Sequence, residues 1–123
     1  DLHSFPTRRS SDLAIDVKDK KCIIVDDLID TGSRISSSTK SVMAAGAKKV
    51  YVAATHALLS QNATEVLNEL PIEQIIVTDT IKHNHYPDRM VRMSVDLLLA
   101  RGIDYVYHDR SIHQIYDEQN EIK

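Results

Sequence analysis

The amino-acid sequence predicts an α/β protein built as a three-layer, doubly wound, mainly parallel sheet. Three observations lead there. Short apolar runs alternate with segments of helical period from Asp16 onward, the pattern of parallel βαβ units with right-handed crossovers. The run Cys22-Ile23-Ile24-Val25 is continuously apolar, as suits a strand buried on both faces. Carboxylates and small residues follow it directly, at the strand end where open α/β sheets bind their ligands.

The elements follow in order. Lys21–Asp26 is the first strand. Ile35, Thr39, Val42 and Met43 then recur at helical spacing. Gly46 falls just past them, where a left-handed helix end wants glycine. Val50–Thr55 is the second strand. Ala63, Val66, Leu67 and Leu70 mark a second amphipathic helix, with Ser60 or Asn62 as its N-cap and Pro71 as its stop. Glu73–Thr78 holds the third strand around Ile75-Ile76-Val77. Lys82 to Arg89 is polar, contains Pro87 and reads as a loop. Met90–Met93 is a short fourth strand. Ser94 caps a last helix through Val95, Leu98 and Leu99, ended by Gly102, and Ile103–Tyr107 is a final short strand in which Tyr105 and Tyr107 alternate with Val106.

Composition sets bounds. A chain of 123 residues with 42% hydrophobic content is one globular domain with a modest core. The net charge of −3 gives no electrostatic footprint for nucleic acid. Cys22 is the single cysteine, so no internal disulfide forms and a buried thiol in a reducing, cytoplasmic setting is expected. No apolar run approaches the ~20 residues that cross a bilayer, and no signal-peptide pattern opens the chain. Asp1 to Leu13, with Phe5-Pro6-Thr7-Arg8-Arg9-Ser10-Ser11, shows neither helical nor strand period. It is expected to be unstructured sequence foreign to the domain; the alternative is a native basic tail. The domain is then expected over residues 14–116, with a frayed tail over 117–123.

The chemistry concentrates in Asp26-Asp27-Leu28-Ile29-Asp30-Thr31-Gly32-Ser33. A small-residue turn opening a helix offers backbone N–H groups and the positive end of the helix dipole to a phosphate. Adjacent carboxylates cannot bind phosphate themselves. They suit sugar hydroxyls, which donate hydrogen bonds, or a hydrated Mg²⁺. Together they point to a sugar phosphate. His83-Asn84-His85 lacks a third ligand at metal-site spacing and reads as a solvated loop; His108 and His113 suggest nothing specific.

Val25-Asp26-Asp27-Leu28-Ile29-Asp30-Thr31-Gly32-Ser33 resembles the phosphoribosyl-binding motif of type I phosphoribosyltransferases and ribose-phosphate pyrophosphokinases. Asp16-Val17-Lys18-Asp19-Lys20, Ala45-Gly46-Ala47-Lys48-Lys49-Val50-Tyr51, Ala54-Thr55-His56 and Ile76-Val77-Thr78-Asp79-Thr80-Ile81 are similar to pyrophosphokinase segments in the same order. The resemblance covers roughly Ala14 to Leu99. It implies a phosphoribosyltransferase-like fold and the C-terminal domain of the enzyme that moves pyrophosphate from ATP to ribose 5-phosphate, giving phosphoribosyl pyrophosphate. It further implies ribose binding by Asp26 and Asp27, which are also candidates for metal contact through water. Phosphate binding falls to Asp30, Thr31, Gly32, Ser33 and Arg34, with His56 and Thr78 nearby. No catalytic residue is assigned in this part. ATP as co-substrate, Mg²⁺, a cytoplasmic hexamer built from dimers, and no nucleic-acid or membrane partner complete the set.

Three departures qualify it. The family loop usually reads Asp-Thr-Ala-Gly-Thr, whereas this chain has Gly32-Ser33-Arg34 in the last three places. Arg34 either pairs with the phosphate, which is the expectation, or points to solvent. Asp79 stands where the family commonly has Asn. Ile103 to Tyr116 does not match the Ser-Val-Ser-like segment tied to allosteric phosphate binding. The family's ATP site and cationic catalytic loop come from sequence upstream, so the chain reads as a fragment, expected to bind ribose 5-phosphate weakly and make no product. The alternatives are a phosphoribosyltransferase and a non-catalytic synthetase-associated subunit.

Overall fold

The computed structural model describes residues 15–120; the segment expected to be foreign, Asp1 to Leu13, lies outside them. The chain folds as two compact units, with the boundary between Met93 and Ser94.

The first unit is a four-stranded, all-parallel sheet in the order β1-β2-β3-β4. Its strands are β1 (Lys21–Ile29), β2 (Lys49–Ala57), β3 (Gln74–Thr78) and β4 (Met90–Met93). Helix α1 (Ser33–Ala44) crosses from β1 to β2, and α2 (Ala63–Glu69) from β2 to β3. The α/β class and the parallel sheet are as the sequence predicts. Sequential strand order with right-handed crossovers places successive connecting helices on one face. The core lies on that face, where Val50, Val52 and Ala54 of β2 and Ile75 and Val77 of β3 meet Ile35 and Leu67.

The opposite face of β1 corrects an expectation. The strand is not buried on both sides: Ile23 is 67% and Val25 76% exposed, while Cys22 and Ile24 pack against the core. Side chains alternate faces along a strand, and α1 and α2 shield only one of them. The strand also runs past Asp26 to Ile29, so the acidic pair sits within it.

Two details of the first unit are as predicted. Gly46 takes φ 93° just past α1. Its N–H donates to Met43 O at 3.0 Å and that of Ala47 to Val42 O at 3.0 Å, the paired bonds of a Schellman ending. Residues 82–89 form the loop before β4, held in place rather than solvated throughout. His83 Nε2 lies 2.6 Å from Ala57 O, and the His83 N–H donates to Tyr86 Oη at 2.8 Å.

The second unit is a helical pair, α3 (Asp96–Tyr107) and α4 (His113–Asn120). The strand expected over Ile103–Tyr107 is the last part of α3, which runs straight through Gly102. Leu99, Ile103 and Val106 keep helical spacing across that glycine, and Tyr105 is buried with Ile115 of α4. Tyr105 Oη donates to Glu118 Oε1 at 2.6 Å, and the Arg110 guanidinium stacks 3.8 Å from the Tyr105 ring centroid. These contacts outweigh the roughly 1 kcal/mol that a mid-helix glycine costs. The tail expected to fray from Asp117 is helical to Asn120; residues 121–123 lie outside the described ones. No helix among the described residues is long and apolar enough to cross a membrane.

Candidate functional site

The site is built where β1 passes through a three-residue turn into α1. Asp26 is in register with Ala54 of β2 and Leu28 with His56. Consecutive residues of a strand face opposite ways, and the two carboxylates differ accordingly: the Asp26 side chain is 20% exposed and that of Asp27 84%. Asp26 Oδ1 accepts the Asp27 N–H at 2.9 Å.

Arg34, in the first turn of α1, reaches back across the turn. Its Nη2 donates to Asp26 Oδ1 at 3.0 Å and lies 3.6 Å from Asp27 Oδ1. The guanidinium therefore stands over both members of the acidic pair, a placement that neither of the two sequence expectations described. The Asp27 carboxyl is held below the usual carboxylate range, first by the neighbouring Asp26 side chain and then by backbone N–H groups, with Arg34 adding to them against some desolvation.

The turn itself is shaped by Gly32, at φ 82° and ψ 0° as the N-cap of α1. No side chain caps the helix. The helix opens with the Ser36 N–H donating to Gly32 O at 2.8 Å. Thr31 Oγ1 and Ser33 Oγ are 3.1 Å apart, and the Ser33 N–H points at Thr31 Oγ1 at 3.4 Å. A first turn without a side-chain cap leaves N–H donors and the positive dipole end for an anion. Leu28 to Ile35 line a cleft of about 260 Å³ over this turn. A wider groove beside it, about 590 Å³, is lined by Thr31, Ser33, Ser36, Ser37 and Lys40, facing Gln61 and Asn62.

Asp30 is tied to the neighbouring loop. Its Oδ1 accepts the Ser60 hydroxyl in a short bond, and its carbonyl accepts the Ser60 N–H at 3.1 Å. Ile29 O accepts the N–H groups of Leu58 and Leu59 at 2.8 and 3.1 Å. Ser60, considered in the sequence only as a helix cap, is thus the pin of the turn. Its role has no local sequence signal, because its partner lies thirty positions away.

The strand ends beyond the turn form a second cluster. Thr78 Oγ1 donates to Thr55 O at 2.6 Å and lies 3.1 Å from Thr80 Oγ1, which is 2.7 Å from His56 Nδ1. Thr78 and Asp26 share the lining of a shallow depression of about 240 Å³. His56 is held by Thr80 within this network. A metal ion does not fit the acidic pair as it stands. The Arg34 guanidinium holds Asp26 Oδ1 and lies 3.6 Å from Asp27 Oδ1, so its positive charge stands beside both carboxylates, and among the described residues no group of three His, Cys, Asp or Glu could hold one.

Comparisons with known proteins fit this geometry. Residues 7–117 match the model of the phosphoribosyl synthetase-associated domain. A ribose-phosphate pyrophosphokinase of Chlorobaculum tepidum is 35% identical over 106 residues, 85% of this chain and 33% of the relative. Ribose-phosphate pyrophosphokinase 1 of Listeria monocytogenes is 37% identical over 103 residues, 82% of this chain and 32% of the relative. A crystal structure of phosphoribosylpyrophosphate synthetase from Mycobacterium smegmatis superposes with a TM-score of 0.74 at 37% identity, covering 78% of this chain and 33% of that one. The chain thus spans about a third of the length of the curated relatives it matches.

Proposed function

The chain belongs to the phosphoribosyl synthetase-associated family, and from that membership we propose that it is the ribose 5-phosphate-binding part of a ribose-phosphate pyrophosphokinase. The observation that carries this reading is the junction of β1 and α1. A left-handed glycine opens a helix that no side chain caps, one turn away from two adjacent carboxylates. In the proposed complex the phosphate sits over Thr31–Ser33, taking N–H and hydroxyl donors. Asp26 and Asp27 accept from the ribose hydroxyls. Fixing both ends of a small sugar presents its 1-hydroxyl in one direction, and transfer of this kind depends on positioning and charge stabilisation. Asp30 holds the turn through Ser60, so its role in binding is exerted through the backbone.

ATP as co-substrate belongs to the same reading, supported by the names of the relatives, and on this reading its site lies in sequence outside this chain. Mg²⁺, when bound with the nucleotide, supplies charge neutralisation for the transferred group. A homo-oligomer of the hexameric kind and a cytoplasmic setting complete the proposal. One observation favours a second reading, a non-catalytic synthetase-associated subunit: Arg34 already engages the carboxylates that would hold the sugar.

Titration of ribose 5-phosphate into the chain, followed by amide shifts, tests the site. Shifts centred on Asp26–Asp27 and Thr31–Ile35, and lost in Asp27→Ala, are expected. A folded chain with no shifts at millimolar ligand would remove the acceptor-site reading.

A further inference from the structure

We infer that Arg34 is a built-in counter-ion of the acidic pair, and that sugar phosphate binds here without a divalent cation on Asp26 or Asp27. The inference rests on the reading of this site as one for ribose 5-phosphate. Two carboxylates in adjacent positions repel and need a positive partner or a proton. The chain supplies the partner itself. Arg34 stands at the second position of α1, and its Nη2 comes within 3.0 Å of Asp26 Oδ1 and 3.6 Å of Asp27 Oδ1. Asp26 is the more buried of the two, so its charge is the less solvated and Arg34 takes the shorter contact with it.

The placement discriminates between ligands by charge. A cation such as Mg²⁺ would approach these carboxylates either directly, at about 2.0–2.1 Å, or through its own waters, and on either route it comes beside a guanidinium that keeps its proton at any ordinary pH. A neutral hydroxyl meets no such repulsion. Asp26 Oδ1 is used by Arg34 and the Asp27 N–H, which leaves Asp26 Oδ2 and the exposed Asp27 carboxylate to accept from a sugar. Arg34 is therefore a positioning residue that tunes the carboxylates for hydroxyl donors and against metal.

Mn²⁺ added to the full chain tests this by paramagnetic broadening of amide signals. In the unsubstituted chain the Asp26 and Asp27 amides should broaden no earlier than that of the exposed Asp88. In Arg34→Thr they should broaden selectively at an Mn²⁺ concentration lower by at least about tenfold, with Arg34→Lys between the two. Equal broadening in the unsubstituted chain and Arg34→Thr would overturn the inference, as would no selective broadening in Arg34→Thr. Ribose 5-phosphate titrated in EDTA should bind within about twofold of its affinity in Mg²⁺. Binding only with Mg²⁺ overturns the counter-ion. The expected Mn²⁺ pattern with no sugar-phosphate shifts in either buffer refutes the acceptor-site reading and leaves the counter-ion standing.

Discussion

Replacing either of two glycines by alanine should move stability in opposite directions. Gly32 lies at φ 82°. A Cβ there would meet Val66 Cγ1 at 3.5 Å and Leu67 Cδ2 at 3.6 Å, ordinary contacts. No clash contributes, so the cost is that of the backbone. An L-residue in the left-handed region loses roughly 1–2 kcal/mol, offset by about 0.4–1 kcal/mol from the smaller entropy of the unfolded chain. Gly32→Ala should therefore destabilise the first unit by about 1 kcal/mol, read from urea unfolding, and should weaken ribose 5-phosphate binding if this turn carries the proposed phosphate site. Gly102 lies inside α3, at no left-handed φ, and a Cβ there meets nothing within 4 Å. Gly102→Ala should stabilise that helix by about 0.8–1.0 kcal/mol, seen as about fivefold slower amide exchange across α3. If Gly32→Ala were neutral, or if Gly102→Ala speeded exchange in α3, the assignment of the turn or of the continuous helix, respectively, would be refuted.

Two further outcomes follow from the sheet and the acidic pair. Val52→Ala removes buried atoms from β2 and should cost about 2–3 kcal/mol by transfer and cavity together; Val25→Ala on the open face should stay within about 0.5 kcal/mol, both measured by urea unfolding of the chain. Asp27, held below its ordinary pKa in the fold, contributes stability that is full above the unfolded value of about 3.9 and is lost as pH falls through the folded one. Asp27→Asn should flatten that acid limb of the unfolding midpoint against pH; an unchanged limb would show that the carboxyl is not held down.

How much was legible varies by element, and the reason is local or non-local in each case. Gly46 was legible because a helix end is decided within a few residues, and its left-handed φ and paired bonds are what the spacing required. The C-terminal half misled for an equally local reason. Gly102 and the Tyr-Val-Tyr alternation spell a stop and a strand, but the bond from Tyr105 to Glu118 joins residues of different helices and holds the segment helical.

The amino-acid sequence by itself determined the α/β class, the order of its strands and first two helices, and the stretch that carries the candidate site, because these depend on periodicity and on residues adjacent in the chain. Only the tertiary structure decided three things. Ile23 and Val25 face outward, because an apolar run reads the same whether one side of the strand is covered or both. Asp30 is pinned by Ser60, because nothing near Asp30 in the chain announces that partner. Arg34 pairs with the acidic pair, because the destination of a long cation depends on which carboxylates the folded turn brings within its reach.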